Sequence, residues 1–483
     1  APPPDFWGFL NWALKDARLT VGLLIVFSVG FGAVDAAFAY YIGELVDRAT
    51  SAGHQALFVE EWPFLVFLLF FVLFAQPLAQ LGGSAIQLLA ISPGLFPQIA
   101  WRLHRHTLGQ SMLYFEGDFA GRIAQKQTQT AQAITDLVLD AVMAAGLLVA
   151  YVIATTALLA SANLWLGAIV MVWVAGFLLT MRWCVPHVRE RAKVQAEARA
   201  HLIGQFVDTL SHMKTVKLFA HSALEEASAK DALQGYRASA LAFGRTMLTL
   251  RMAITALNSF VIVTMLGAAL LLFSRGNASV GVIALSIILT LRLTQMSRWG
   301  AQTAIAIFRT IGTVEDGAAT LSRPHGNAKV GTSVADHASK GVIRFELVTF
   351  GYDSHVGAVQ NLSFHVSPQE KVGLVGRSGA GKSTTLSLLL RLYDPQSGRI
   401  TIDGIDTRTL ALDEFRRNIA MVSQEPAIFN RSAFANIAYG NPNATFEEVV
   451  LAARTARAHD FIETLRDRDD RSGDDAYLGE NGV

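Results

Sequence analysis

Six long apolar stretches constrain this chain more than anything else in it. Leu19 to Tyr41 is the first, with Asp35 as its only charge, and Pro63 to Leu89 is the second, interrupted by Gln76-Pro77 and Gly82-Gly83. Leu137 to Leu159 and Trp165 to Met181 follow, joined by the short Ser161-Ala162-Asn163 connection; Ala253 to Phe273 and Val280 to Leu293 complete the set. About 20 apolar residues in a helix cross the roughly 30 Å of bilayer hydrocarbon, and a helix satisfies its own backbone polar groups there. The expectation is six membrane spans, the second kinked at its Pro and Gly positions. With 52% hydrophobic and 16% charged residues, the chain is too apolar for an ordinary soluble protein.

Charge sets the orientation. Lys15 and Arg18 precede the first span, and Arg102, Arg105, Arg122 and Lys126 lie in a polar excursion over 101–135. A second excursion over 182–251 carries Arg189, Arg191, Lys193, Arg199, Lys214 and Lys217 among others. The positive-inside rule puts both termini and both excursions in the cytoplasm. Residues 1–18 place Phe6, Trp7, Phe9 and Trp12 beside Lys15 and Arg18, the pattern of an amphipathic interfacial helix. Ala1 to Pro4 is uncharged and lacks an initiator Met, so no cleavable signal is expected and a processed or trimmed chain is. A net charge of +1 offers no field for nucleic acid, and one cysteine, Cys184, excludes an internal disulfide and a cysteine-cluster metal site. Asp35 within a span is costly in hydrocarbon and so a candidate for the substrate pathway. Arg292 is expected to snorkel, while Gln76, Gln80, Gln87 and Asn258 either line a cavity or bond between helices.

After a Gly/Ala/Ser-rich linker at 317–341 the pattern changes to short β-rich segments. Val342 to Phe345, Val348 to Phe350, Leu362 to Val366, Val372 to Val375, Arg399 to Ile402 and Ile419 to Val422 read as strands, the fifth closed by an Asp403-Gly404 turn. Between Val375 and a leucine-rich helix over 385–392 stands Gly376-Arg377-Ser378-Gly379-Ala380-Gly381-Lys382-Ser383-Thr384. This Gly-x-x-x-x-Gly-Lys-Ser spacing lets backbone N–H groups curl around a triphosphate, with Lys382 on the β- and γ-phosphates and Ser383 on Mg²⁺. The bland alternative is a glycine-rich turn.

Six spans, two cytoplasmic excursions, a linker and a phosphate-loop domain resemble the exporter-type ATP-binding-cassette (ABC) half-transporters. The resemblance covers about 19–483: a six-helix all-α membrane domain over 19–316, then part of an α/β nucleotide-binding domain over 342–483. It implies that Tyr352, in Phe350-Gly351-Tyr352, stacks on adenine, and that Gln424, in the stretch Val422 to Phe429, joins Ser383 on Mg²⁺. Leu478-Gly479-Glu480-Asn481-Gly482 looks like the Gly-Glu-x-Gly stretch ahead of the family's signature sequence. Tyr114 to Ile123 and Met213 to Phe219 are similar to the family's two coupling loops.

In the family, the signature sequence, the catalytic glutamate and the switch histidine follow the point where these 483 residues stop. The chain as given is therefore expected to bind ATP with Mg²⁺ without hydrolysing it. The complete protein is expected to export a hydrophobic or amphipathic substrate as a homodimer or heterodimer, surrounded by lipid in a bacterial inner membrane. Two alternatives stay open here: a nucleotide-binding, non-hydrolysing membrane regulator, and a membrane-tethered phosphate-loop kinase or GTPase. Tyr352 and Gln424 at family spacing argue against the second.

Overall fold

The computed structural model describes residues 2–324, 341–352, 358–424 and 428–479, without the side chains of 52–57, 145, 413 and 414. The chain divides into two compact units, Ala1–Asn327 and Ala328–Val483.

The first unit is all helix. Helix α1 (Phe6–Ala13) is capped by the Asp5 carboxylate, which accepts from the Gly8 N–H, and α2 (Arg18–Val59) follows directly. The second apolar stretch folds as α3 (Trp62–Phe70), a π turn (Phe71–Ala75), α4 (Gln76–Ala85), a second π turn (Ile86–Ile91) and α5 (Ser92–Leu108). The π turns sit beside Pro77 and Pro93, where a missing N–H and a crowded ring disturb the α ladder. The first excursion holds the short α6 (Met112–Glu116) before α7 (Ala120–Ala162). Asn163 turns the chain at once into α8 (Leu164–Ser211), its side chain accepting from the Trp165 N–H. The second excursion turns at α9 (Met213–Phe219), closed by Ala220 in the left-handed region; α10 (Ser222–Ser274) and α11 (Val280–Leu321) return through the bundle. Six helices among the described residues are long and apolar enough to cross a membrane.

Two apolar cores hold this unit. One joins Tyr151, Trp173, Phe177, Met265 and Leu289 across α7, α8, α10 and α11. The other packs Phe9 and Ala13 of α1 against Leu95, Ile99, Ile134 and Val314. Arg102 fastens α1 there, donating to the carbonyls of Trp12 and Ala13 at 2.9 and 3.1 Å and pairing with Asp16.

Two expectations change. The acidic stretch at 44–62 is mostly the continuation of α2, where Arg48 pairs with Glu44 and Glu61; helix needs only this local support to outlast the apolar run. Residues 317–321, expected in the linker, are the last turn of α11. A Cβ at Gly317 would stand 2.0 Å from Thr130 Oγ1, so this glycine serves a close crossing with α7 rather than a flexible tether. The residues 325–340 lie outside the described ones.

In the second unit, β1 (Ile343–Phe350) takes the two expected strands as one, with irregular register between Phe345 and Val348. β2 (Val359–Val366) and β3 (Ser397–Ile402) pair on either side of it, and β4 (Ile405–Asp406) pairs with β3, all antiparallel. Asp403 and Gly404, at φ 50° and 82°, make the two-residue turn that an Asp-Gly pair favours. Helix α12 (Lys382–Leu389) buries Leu388 in the core formed by Phe345, Val348, Phe350, Tyr393 and Ile400. Then come α13 (Leu412–Arg417), β5 (Arg431–Ser432), α14 (Ala433–Ile437), α15 (Phe446–Thr455), α16 (His459–Glu463) and β6 (Tyr477–Leu478), which pairs with β5.

Val372–Val375 and Ile419–Val422 form no strand, contrary to the sequence expectation. Val375 and Val422 stand 97% exposed. β propensity makes a segment fit a sheet, but a strand exists only with a ladder partner, and neither segment has one among the described residues.

Candidate functional site

The phosphate loop leads from an exposed extended segment into α12. Gly379 and Gly381 both take φ 81°, a region closed to most side chains. A Cβ on Gly381 would also stand 2.4 Å from the Ala358 carbonyl oxygen, so two constraints meet at one glycine. Ala380 N–H donates to Arg377 O at 3.1 Å, tightening the loop. The Lys382 ammonium bends back over it, donating to the carbonyls of Gly376 (2.8 Å) and Arg377 (2.9 Å). These are exchangeable hydrogen bonds: phosphate oxygens offer the same cation a charged acceptor and a stronger bond. Ser383 is exposed at the first turn of α12, while Thr384 and Thr385 are buried behind it, Thr385 Oγ1 donating to Gly381 O at 2.9 Å. The cradle, the amine and the free hydroxyl fit a triphosphate with its Mg²⁺.

Tyr352 is joined to this loop, its hydroxyl 3.2 Å from Thr384 Oγ1. Its ring stands edge-on to Phe350 and Tyr393, with centroids 5.2 and 5.3 Å away, and is half exposed. Phe350 and Tyr393 thus fix a platform whose open side is available to a base. The sequence reading missed Tyr393; its signal was an aromatic one turn beyond a leucine-rich helix. It also missed Arg391, buried at φ 51°, which donates to the carbonyls of Thr407 and Leu410 and ties the end of α12 to the following turn. Gln424 ends an exposed segment, and no described hydrogen bond joins it to the loop; Glu425 to Ala427 and Glu480 to Gly482 lie outside the described residues.

In the membrane unit, Asp35 on α2 accepts from Arg292 on α11 at both oxygens, Nε to Oδ2 at 2.8 Å and Nη2 to Oδ1 at 3.1 Å. The arginine expected to snorkel therefore pairs across the bundle. Asn258 bonds between helices, accepting from Trp173 Nε1 at 3.2 Å and donating to Ser297 Oγ at 2.9 Å. In the first excursion, Arg122 beside Asp118 holds that carboxyl below its usual range. Leu218 and Phe219 on α9 are exposed, leaving an apolar tip on the second excursion.

A bundle of membrane-crossing helices fused to a phosphate-loop domain defines a membrane protein coupled to a nucleotide. Residues 21–296 match the family described as ABC transporter transmembrane region, and residues 359–477 the family described as ABC transporter. An "Uncharacterized ABC transporter ATP-binding protein" of Haemophilus influenzae is 36% identical over the whole of this chain and 78% of its own length. "Beta-(1-->2)glucan export ATP-binding/permease protein NdvA" of Nitrobacter winogradskyi is 36% identical over 57% of this chain and 46% of its own; that of Brucella suis is 35% identical over 61% and 49%. The chain thus spans about half the length of these glucan exporters. The structure titled as a bacterial Atm1-family ABC exporter with ATP bound superposes with a TM-score of 0.76 over 98% of this chain and 81% of its own, at 24% identity, and so shares the fold. The chain belongs to the ABC transporter family, as a half-transporter of exporter type and a multi-pass bacterial inner-membrane protein.

Proposed function

We propose that the complete protein exports an amphipathic substrate, driven by ATP, as a dimer of half-transporters, either two copies or one copy and a related chain. The observation that carries this reading is Lys382 poised over the carbonyls of a Gly376–Gly381 cradle in the same chain as six membrane helices. Lys382 and the loop N–H groups would hold the phosphates, Tyr352 the adenine, and Ser383 with Gln424 the Mg²⁺, which neutralises charge on the phosphates when bound. Gly376 to Thr384, Tyr352 and Gln424 supply the binding side of the site.

ATP drives a conformational change only by binding one state more tightly than the other. The short helices α6 and α9 lie at the tips of the two excursions, where the family resemblance puts the coupling contacts, and the exposed Leu218 and Phe219 supply an apolar docking tip. The hydrocarbon part of an amphipathic cargo suits an apolar cavity of about 230 Å³ lined by Trp173, Phe177, Leu293 and Met296. A purely regulatory role draws no support from the glucan-export relatives.

Inside-out vesicles carrying the full-length protein test the reading. ATP-dependent accumulation of an amphipathic fluorescent fatty acid is expected with the native protein and lost with Lys382→Ala, at unchanged protein level. Accumulation that ignores ATP, or that survives Lys382→Ala, would overturn it.

A further inference from the structure

Three helices bring uncommitted hydrogen-bond donors to one depth of the membrane unit. Near the end of α2, Asp47 accepts from the Gly281 N–H and the Ser279 hydroxyl, both at 2.5 Å, which fixes α2 beside the start of α11. Counting inward at about 1.5 Å per residue, Asp35 and Arg292 both lie roughly 17 Å from that joint. Tyr151 lies at the same depth, roughly 17 Å from the Ala162 end of α7. Glycines let α2 and α7 touch at this level: a Cβ on Gly32 would stand 3.0 Å from Ala150 Cβ, and one on Gly146 3.0 Å from Ser28 Cβ. Tyr151 is within electrostatic reach of both Asp35 and Arg292.

The pair is lopsided. The Asp35 side chain is 5% exposed and both its oxygens are taken, whereas the Arg292 side chain is 42% exposed. A guanidinium carries five N–H donors, and Asp35 engages only two of them. Tyr151 OH and Thr155 Oγ1, one helical turn apart and fully buried, face each other and find no other partner among the described residues. Buried hydroxyls without partners are uncommon in folded proteins. Two hydroxyls that face only each other use one of their two O–H donors, which leaves that second O–H and three Arg292 N–H groups without an acceptor among the described residues. Tyr151 also borders the apolar cavity lined by Trp173 and Phe177, and Leu293, next to Arg292, lines it too.

We propose that this niche binds an acidic group, carboxylate or phosphate, on an amphipathic ligand. Arg292 is its charged anchor, Tyr151 and Thr155 its hydroxyl donors, and the cavity takes the hydrocarbon. Asp35 positions the guanidinium and keeps it from standing as a lone charge when the ligand is away. A cationic ligand is disfavoured, because the carboxylate described at this depth, Asp35, is buried and paired with Arg292. The proposal rests on the export reading only in calling the ligand cargo.

The test uses full-length protein in phosphatidylcholine nanodiscs and two probes of equal chain length, dodecyl phosphate and dodecyltrimethylammonium, titrated calorimetrically without ATP. Dodecyl phosphate is expected to bind about tenfold more tightly, the scale of one charge-assisted hydrogen bond. Arg292→Gln alone strands a buried carboxylate, so the decisive variant is Asp35→Asn with Arg292→Gln, which keeps a neutral hydrogen-bonding pair; the preference should vanish there. Tyr151→Phe removes a hydroxyl whose one neighbouring partner is Thr155 and keeps the ring, so it should weaken dodecyl phosphate with little change in melting temperature, whereas a packing role would leave dodecyl phosphate binding unchanged. Equal binding of the two probes by the native protein, or a preference that survives in the double variant, overturns the proposal. In nanodiscs containing phosphatidylglycerol, displacement of dodecyl phosphate identifies a lipid headgroup as the source of the acidic group, and no displacement identifies cargo. Because no ATP enters, failure here leaves the export reading standing, and failed export leaves this site standing.

Discussion

The phosphate loop and the Asp35–Arg292 pair are built on opposite principles. The loop draws its backbone geometry from one contiguous stretch, Gly376 to Thr384, with two residues at φ 81° and an amine folded back on its own carbonyls. The pair joins α2 to α11 across 257 residues of sequence. One site is a property of local backbone conformation, the other of helix packing. The lesson is that the two should fail independently and by different routes.

Gly381→Val attacks the loop where two constraints coincide, the positive φ and the Ala358 carbonyl 2.4 Å from any Cβ. Strain of about 1–3 kcal/mol from the backbone alone, added to the collision, should abolish ATP binding in a nucleotide titration while the melting of the membrane unit stays unchanged. Arg292→Gln does the reverse. Leaving a buried carboxylate unpaired costs about 3–5 kcal/mol in a closed interior, and about 2 kcal/mol is expected here because the guanidinium is half exposed. Thermal unfolding in detergent should show that loss with ATP affinity intact. A variant in either unit that disturbs both readouts breaks the comparison.

Tyr352→Ala sharpens it with a smaller effect. Loss of an aromatic stacking partner worth about 1 kcal/mol should weaken ATP about fivefold, with Tyr352→Phe keeping most of the affinity. The smallest effect is at Asp467, outside both sites. Backbone N–H groups of Tyr477, Asp469 and Arg471, and the Arg471 guanidinium, all donate to its carboxylate. The Tyr477 amide does most to hold its pKa down to about 2, from an ordinary 3.8. A carboxyl lowered on folding stabilises above its ordinary pKa and loses that contribution as pH falls through the lowered one. Pepsin cleavage between Leu465 and Leu478 should therefore rise as pH falls from about 4 to about 2, and Asp467→Asn should remove that step.

What was legible in the sequence follows the same division. The phosphate loop, the Asp403-Gly404 turn and the Asn163 joint each carry their geometry in two to nine neighbouring residues, and each stands where the sequence put it. The helical tip at 213–219 coincides with the second stretch that resembles a coupling loop, and the tip at 112–116 overlaps the first at 114–116. Val372–Val375 misled because β-branched composition reports fitness for a sheet and says nothing of a partner. Gly317 misled because a glycine under a helix crossing and a glycine in a linker look alike until Thr130 is seen beside it. Arg292 looked like a snorkelling residue because its partner sits on the first helix. Tyr393 and Arg391, which pack beside Tyr352 and tie down the end of α12, carry no motif at all.

The central claim is that this chain's nucleotide site is made by Lys382 on a glycine cradle, and fluorescence titration of the purified chain with trinitrophenyl-ATP tests it most directly. The native chain should bind the analogue and release it to ATP, and Lys382→Ala should lose about tenfold to a hundredfold in affinity, the worth of one strong charge-assisted contact, with far-UV circular dichroism unchanged. Equal affinity in native and Lys382→Ala chains would contradict the account.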